Sequence, residues 1–137
     1  HGAQFPTALE AALKFKEITY LHAEGFGAAE LKHGPFALLS EKTPCVFFLP
    51  DNKARARTLG NIQEVQARGS PVIVLSSGPA GDLHGLADYH VELPESHDLL
   101  ASLPFSLAGQ IIAYHAAHAL GREIDMPRNL AKSVTVE

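Results

Sequence analysis

Apolar residues near the start of the chain recur at helical spacing. Ala8, Ala11, Phe15 and Ile18 stand three and four positions apart and line one side of a helix. Glu10, Lys14 and Glu17 repeat on a neighbouring polar face. The pattern predicts a helix from Thr7 to about His22, with Thr7 as its cap and Glu10 completing a capping box. Gly25 and Gly27 interrupt it, and a short helix from Ala28 to about Lys32 runs into the Gly34-Pro35 stop. The apolar run Cys45–Leu49 lies between prolines and predicts a buried strand. Asn52 to Arg68 carries Ala56, Leu59, Ile62 and Val65 at intervals of three, a helix closed by Gly69. Pro71–Leu75 is a second buried strand, Ser76–Gly81 a loop, and Tyr89–Leu93 a weaker third strand. Leu99–Leu120 is apolar and long enough for a buried helix, with Pro104 near its start and Gly121 at its end. The remainder, Arg122–Glu137, is polar and irregular. Apolar residues at Leu130, Val134 and Val136 predict that this tail docks on the domain.

Strands alternating with helices mean βαβ units, and continuous apolar strands mean a parallel sheet covered on both faces. The expected fold class is therefore α/β. Three short strands make a small sheet for so much helix, so a further strand is expected before His1. His1–Pro6 accordingly reads as a loop running into a helix, with residues expected upstream.

Composition narrows the possibilities. The 137 residues are 46% hydrophobic and 19% charged, which fits one globular domain and argues against disorder. The net charge of -4 leaves no basic excess to neutralise a phosphate backbone, so no nucleic-acid partner is expected. One cysteine, Cys45, excludes an internal disulfide and a cysteine-based zinc site. No apolar run spans a bilayer, and four glutamates in residues 1–30 argue against a signal peptide, so a cytoplasmic setting without membrane contact is expected.

Several groups of residues could carry chemistry. Lys14 and Glu17 emerge from adjacent turns, where a carboxylate and an amine can shuttle protons, although spacing alone favours a surface ion pair. His33 ends a helix in a Gly-Pro turn and titrates near neutrality, but spacing alone favours a histidine that satisfies helix carbonyls. Lys132, if desolvated, could attack a carbonyl and form an imine; on its own it reads as one more solvated lysine. Ser76-Ser77-Gly78 follows a parallel strand, where loops hold ligands, but lacks any dinucleotide or Walker fingerprint and reads as a plain βα loop. His115 and His118 are three apart with no carboxylate near them on the helix, which favours packing over a metal. Cys45 reads as a small buried hydrophobe.

The wording of the chain goes further than its spacing. Ala8-Leu-Glu-Ala-Ala-Leu-Lys-Phe-Lys-Glu-Ile18, His22-Ala-Glu24, Glu30-Leu-Lys-His-Gly-Pro35 and Pro127-Arg-Asn-Leu-Ala-Lys-Ser-Val-Thr-Val-Glu137 together resemble the C-terminal part of the glutamine–fructose-6-phosphate aminotransferase (isomerising) family. The helix-one phrase is shared more loosely by other sugar isomerase (SIS) domains; the combination with the terminal phrase is specific to the synthase. The resemblance covers nearly the whole chain. It departs at Ala29, where the family commonly has Gly, and at Met126, where Gln is common.

The resemblance implies a SIS-type three-layer sandwich, with residues 1–137 forming the second SIS subdomain and 127–137 its catalytic tail. It implies part of an enzyme that makes glucosamine 6-phosphate from fructose 6-phosphate and glutamine. The glutaminase domain and the first SIS subdomain, whose loop carries most sugar-phosphate contacts, would be its partners. Lys132 corresponds to the imine-forming lysine, with Ala131 beside it as a substrate contact. Glu17 corresponds to the carboxylate that moves a proton between C1 and C2, with Lys14 assisting. His33 corresponds to a ring-opening histidine supplied by the neighbouring subunit, which implies a homodimer. No metal or organic cofactor is implied. The rival expectations are a SIS module that binds a phosphosugar without chemistry and a phosphosugar isomerase or deaminase without glutaminase.

Overall fold

The computed structural model describes residue 2 and residues 4–97 and 100–130. Helix α1 spans Gln4–Thr19, followed by two 3-10 turns, Ala28–His33 and Pro35–Leu38. Strand β1 (Cys45–Leu49), helix α2 (Arg55–Gln66), strand β2 (Val72–Ser76), a 3-10 turn (Gly81–Leu83), strand β3 (Tyr89–Glu92) and helix α3 (Ser102–Ala119) complete the order. The strands form a parallel sheet in the order β1-β2-β3, with Cys45 opposite Val72 and Ile73 opposite Tyr89. The α/β class with helices on both faces of a parallel sheet is thus borne out.

Alternation along the strands builds the two cores. Phe47 and Leu49 of β1 and Val72 and Val74 of β2 join Ile62 and Val65 of α2 and Leu31 of the first 3-10 turn. On the opposite face Leu75 and Phe48 meet Ala101, Phe105 and Ala108 at the start of α3, with the Phe48 and Phe105 rings 5.7 Å apart. Burial on both sides explains why β2 is apolar at consecutive positions, whereas on β1 Val46 stays exposed. Helix α1 packs on α3, and the two approach closely at Gly109, where a Cβ would lie 2.8 Å from Ala11 Cβ.

The structure corrects several predicted boundaries. Thr7 is not the cap of α1: it is buried inside the helix, which begins at Gln4. Pro6 does not block that start, because a first-turn residue needs no N–H donor and the ring fixes a helical φ. The helix ends at Thr19, not His22, and the residue that ends it is not a glycine. Tyr20 takes a left-handed conformation, φ 62. Thr19 holds that turn: its buried hydroxyl donates to the Phe15 carbonyl at 2.6 Å and accepts from the Leu21 N–H at 3.1 Å. A bulky side chain in this region costs about 1–2 kcal/mol. The segment at Ala28 is a 3-10 turn, and α2 starts at Arg55 after Asn52 Oδ1 accepts from the Ala54 N–H. Gly69, φ 76, follows α2 as expected.

Candidate functional site

Glu10, Lys14 and Glu17 recur at spacings of four and three along one side of α1, with the exposed Leu13 on the same side. Lys14 Nζ stands 2.8 Å from Glu17 Oε2 and 3.7 Å from Glu10 Oε1. The hydrogen bond to Glu17, reinforced by both carboxylate charges, pushes the Lys14 amine above its ordinary range, so it stays protonated. Glu17 is the more sheltered carboxylate, its side chain 21% exposed against 48% for Glu10. The pair is a fixed carboxylate with an ammonium beside it, an arrangement able to accept and return a proton in place.

His33 is elsewhere. It ends the 3-10 turn that buries Leu31 against the α2 core, and the adjacent Lys32 pairs with Glu64 of α2 at 2.7 Å. Gly34, φ 141, turns the chain away and leaves His33 exposed. Among the described residues His33 makes no hydrogen bond or ion pair with Lys14 or Glu17. Lys132 and Ala131, together with Val134 and Val136, lie outside the described residues.

The segment leading toward Lys132 is described as far as Leu130. Of the three apolar residues expected to dock the tail, Leu130 alone is described. Leu130 is 49% exposed; the contacts are made instead by Arg128 and Arg122 on Tyr20. The Arg128 N–H donates to Tyr20 Oη at 3.0 Å, and the Arg128 guanidinium lies 4.3 Å from the ring centroid. Arg122 lies 5.4 Å from the same centroid. Sequence reasoning passed over Tyr20 and Arg128, because their partnership spans 108 positions and no local pattern announces it.

The Ser76-Ser77-Gly78 loop is occupied by its own chain. Ser76 Oγ is 2.8 Å from His90 Nε2, Ser77 Oγ accepts from the Asp51 N–H, and Gly78 packs so closely on Asp51 that a Cβ would lie 2.6 Å away. Arg55 crosses beneath the loop, paired with both oxygens of Asp82 and donating to the Ser77 and Pro79 carbonyls. Burial raises the pKa of the Cys45 thiol, which favours its protonated form. Among the described residues no three His, Cys, Asp or Glu side chains converge as a metal site requires.

A groove of about 710 Å³ runs between α1 and the outer edge of β1, lined by Ala8, Ala12, Phe15, Leu39, Val46 and Phe48 among others. It does not include Lys14, Glu17 or His33. Its lining is mainly apolar.

The profile of the SIS domain matches residues 1–120. The chain belongs to the SIS domain family. Over 99% of its length it is 45% identical to a protein of Rhizobium leguminosarum bv. viciae called glutamine–fructose-6-phosphate aminotransferase [isomerizing], of which the match covers 22%. A protein of Sphingobium yanoikuyae with the same name is also 45% identical, again over 99% of the chain, and there the match covers 88% of the relative. Among solved structures, the C-terminal domain of the Francisella tularensis glucosamine-fructose-6-phosphate aminotransferase superposes on this SIS domain with a TM-score of 0.83 at 37% identity. That match covers 93% of this chain and 36% of the other. The likeness therefore extends beyond the SIS fold to the carboxyl-terminal region of these aminotransferases.

Proposed function

We propose that this SIS domain is the second sugar-isomerase subdomain of a glucosamine-6-phosphate synthase. The full enzyme would act on fructose 6-phosphate and glutamine-derived ammonia. In this reading Lys132 attacks the C2 carbonyl of the opened ketose, and water leaves as the imine forms. Ammonia displaces the lysine at C2. Glu17 takes a proton from C1, made acidic by the neighbouring imine, and returns it to C2. The aldehyde is then at C1 and the amine at C2. Lys14 holds the Glu17 carboxylate in position, Ala131 contacts the sugar, and His33 opens the ring from the neighbouring subunit of a cytoplasmic homodimer. The exposed setting of His33, on a different element from the Lys14–Glu17 pair, supports a role across a subunit boundary.

The observation that most supports the reading lies at the carboxyl end of α1. Glu17 is in its last turn, and Tyr20, just past it, holds the backbone of Arg128. Lys132 follows Arg128 by four positions, within about 14 Å of extended chain. The test is substitution in the complete enzyme. Lys132→Ala is expected to abolish turnover and borohydride trapping of fructose 6-phosphate while sugar binding persists. Glu17→Gln is expected to lower kcat by about 100-fold or more with trapping retained. Full turnover by Lys132→Ala would instead leave a phosphosugar-binding SIS module.

A further inference from the structure

Resting on that reading, we infer that Tyr20 is a positioning residue that holds the carboxyl-terminal segment where Lys132 meets the substrate. Three observations converge on it. Its backbone is left-handed, φ 62, a conformation in which glycine or asparagine is at ease and an aromatic residue is not. The structure around it maintains that conformation, through the two hydrogen bonds of the buried Thr19 hydroxyl. The side chain so placed is fully used: its hydroxyl accepts the Arg128 N–H, and its ring seats the guanidinium groups of Arg128 and Arg122. If stopping α1 were the sole requirement at this position, glycine would do it without strain. An outlier that costs stability and presents a side chain to another segment is the pattern expected where function has set the residue.

The consequence is positional. The segment after α3 is polar and irregular, and Leu130 gives it little apolar anchorage. Tyr20 converts that loose approach into a fixed one, because it binds backbone as well as side chain at Arg128. The Arg128 N–H is held whatever rotamer its side chain takes. An imine-forming amine must reach its carbonyl in a narrow range of distance and angle, so a small displacement of the chain that carries it lowers the rate more than it lowers substrate binding.

The test uses the complete enzyme with Tyr20→Gly, a change that relieves the backbone and removes the post. The melting temperature is expected to hold or rise. The kcat and the rate of borohydride trapping with fructose 6-phosphate are expected to fall together by about 10-fold or more, with KM changing much less. A Tyr20→Gly enzyme with wild-type kcat and trapping rate overturns the inference. If Tyr20→Gly lowers the melting temperature, Tyr20→Phe, which keeps the ring, decides: a threefold or greater fall in trapping, roughly the loss expected for one hydrogen bond, upholds the inference, and an unchanged rate overturns it. Lys132→Ala run alongside separates the two levels. Turnover retained in Lys132→Ala removes the synthase reading itself. Turnover lost there but unaffected in Tyr20→Gly removes only the role of Tyr20.

Discussion

Arg55 and Asp82 show how a single pair governs the loops at the carboxyl ends of the strands. The Arg55 side chain is 10% exposed, and its hydrogen bonds satisfy one carboxylate and two loop carbonyls. The same hydrogen bonding holds the Asp82 carboxyl below its ordinary value of 3.8. A carboxyl depressed in the folded state stabilises that state above its unfolded pKa and stops doing so as pH falls through the folded value. Asp82→Asn, which leaves the Arg55 charge without its partner, is expected to lower stability at neutral pH by roughly 2 kcal/mol. The difference between the two proteins should shrink as pH falls below the ordinary carboxyl value of 3.8 and through the depressed value of the folded state. Urea titrations across that range would show it, and a gap independent of pH would mean that the ionised pair does not support the loop. None of this was legible beforehand, since 27 positions separate the partners and neither sits in a recognisable phrase. Lys14 and Glu17, three apart on one helix, were legible as a pair, and the structure joins them.

At the scale of elements, the crossing of α1 and α3 decides where Glu17 stands. Gly109 and Ala11 meet at that crossing, and a Cβ on residue 109 would lie 2.8 Å from Ala11 Cβ. Gly109→Ala sets two effects against each other. Alanine in a helix interior is favoured over glycine by about 1 kcal/mol. Separating two packed helices costs about 1–3 kcal/mol, and here neither side chain can swing aside. The clash is expected to win, leaving a net loss of about 1 kcal/mol in chemical denaturation. Exchanging the methyl across the interface, in Ala11→Gly with Gly109→Ala, is expected to recover part of that loss relative to the sum of the single changes. Simple additivity would show that the contact is not tight. The strands were readable because an apolar run flanked by proline leaves few alternatives, and Cys45–Leu49 lies where the pattern predicts it. The limits of α1 were not. Pro6 resembles a barrier yet fits the first turn, and a tyrosine with positive φ carries no local signature of a helix end. Gly25, predicted as a breaker, instead lies against Ala8, where a Cβ would be 2.8 Å from the Ala8 carbonyl oxygen.

For the whole molecule, the open side of the sheet has a consequence that can be measured on these 137 residues alone. Among the described residues β1 pairs only with β2, so its outer edge carries unpaired backbone groups. Val46 on that strand is 42% exposed, and Phe5, Phe26 and Leu38 around the groove are 40%, 38% and 69% exposed. Cys-Val-Phe-Phe-Leu has high strand propensity and no charge, the composition of a segment that pairs with its own copies when its edge is open. Among the described residues this edge has no strand partner, and the isolated chain is expected to self-associate as its concentration rises. Val46→Lys places a charge on the edge strand, a substitution that opposes edge-to-edge pairing. Its position is already partly solvated, so the cost to folding is small beside the loss of association. Sedimentation velocity on both proteins would decide the matter: the parent chain shifts to larger species while Val46→Lys stays monomeric. A parent chain that remains monomeric throughout would mean that the described domain protects this edge unaided, and the groove would then need no covering partner.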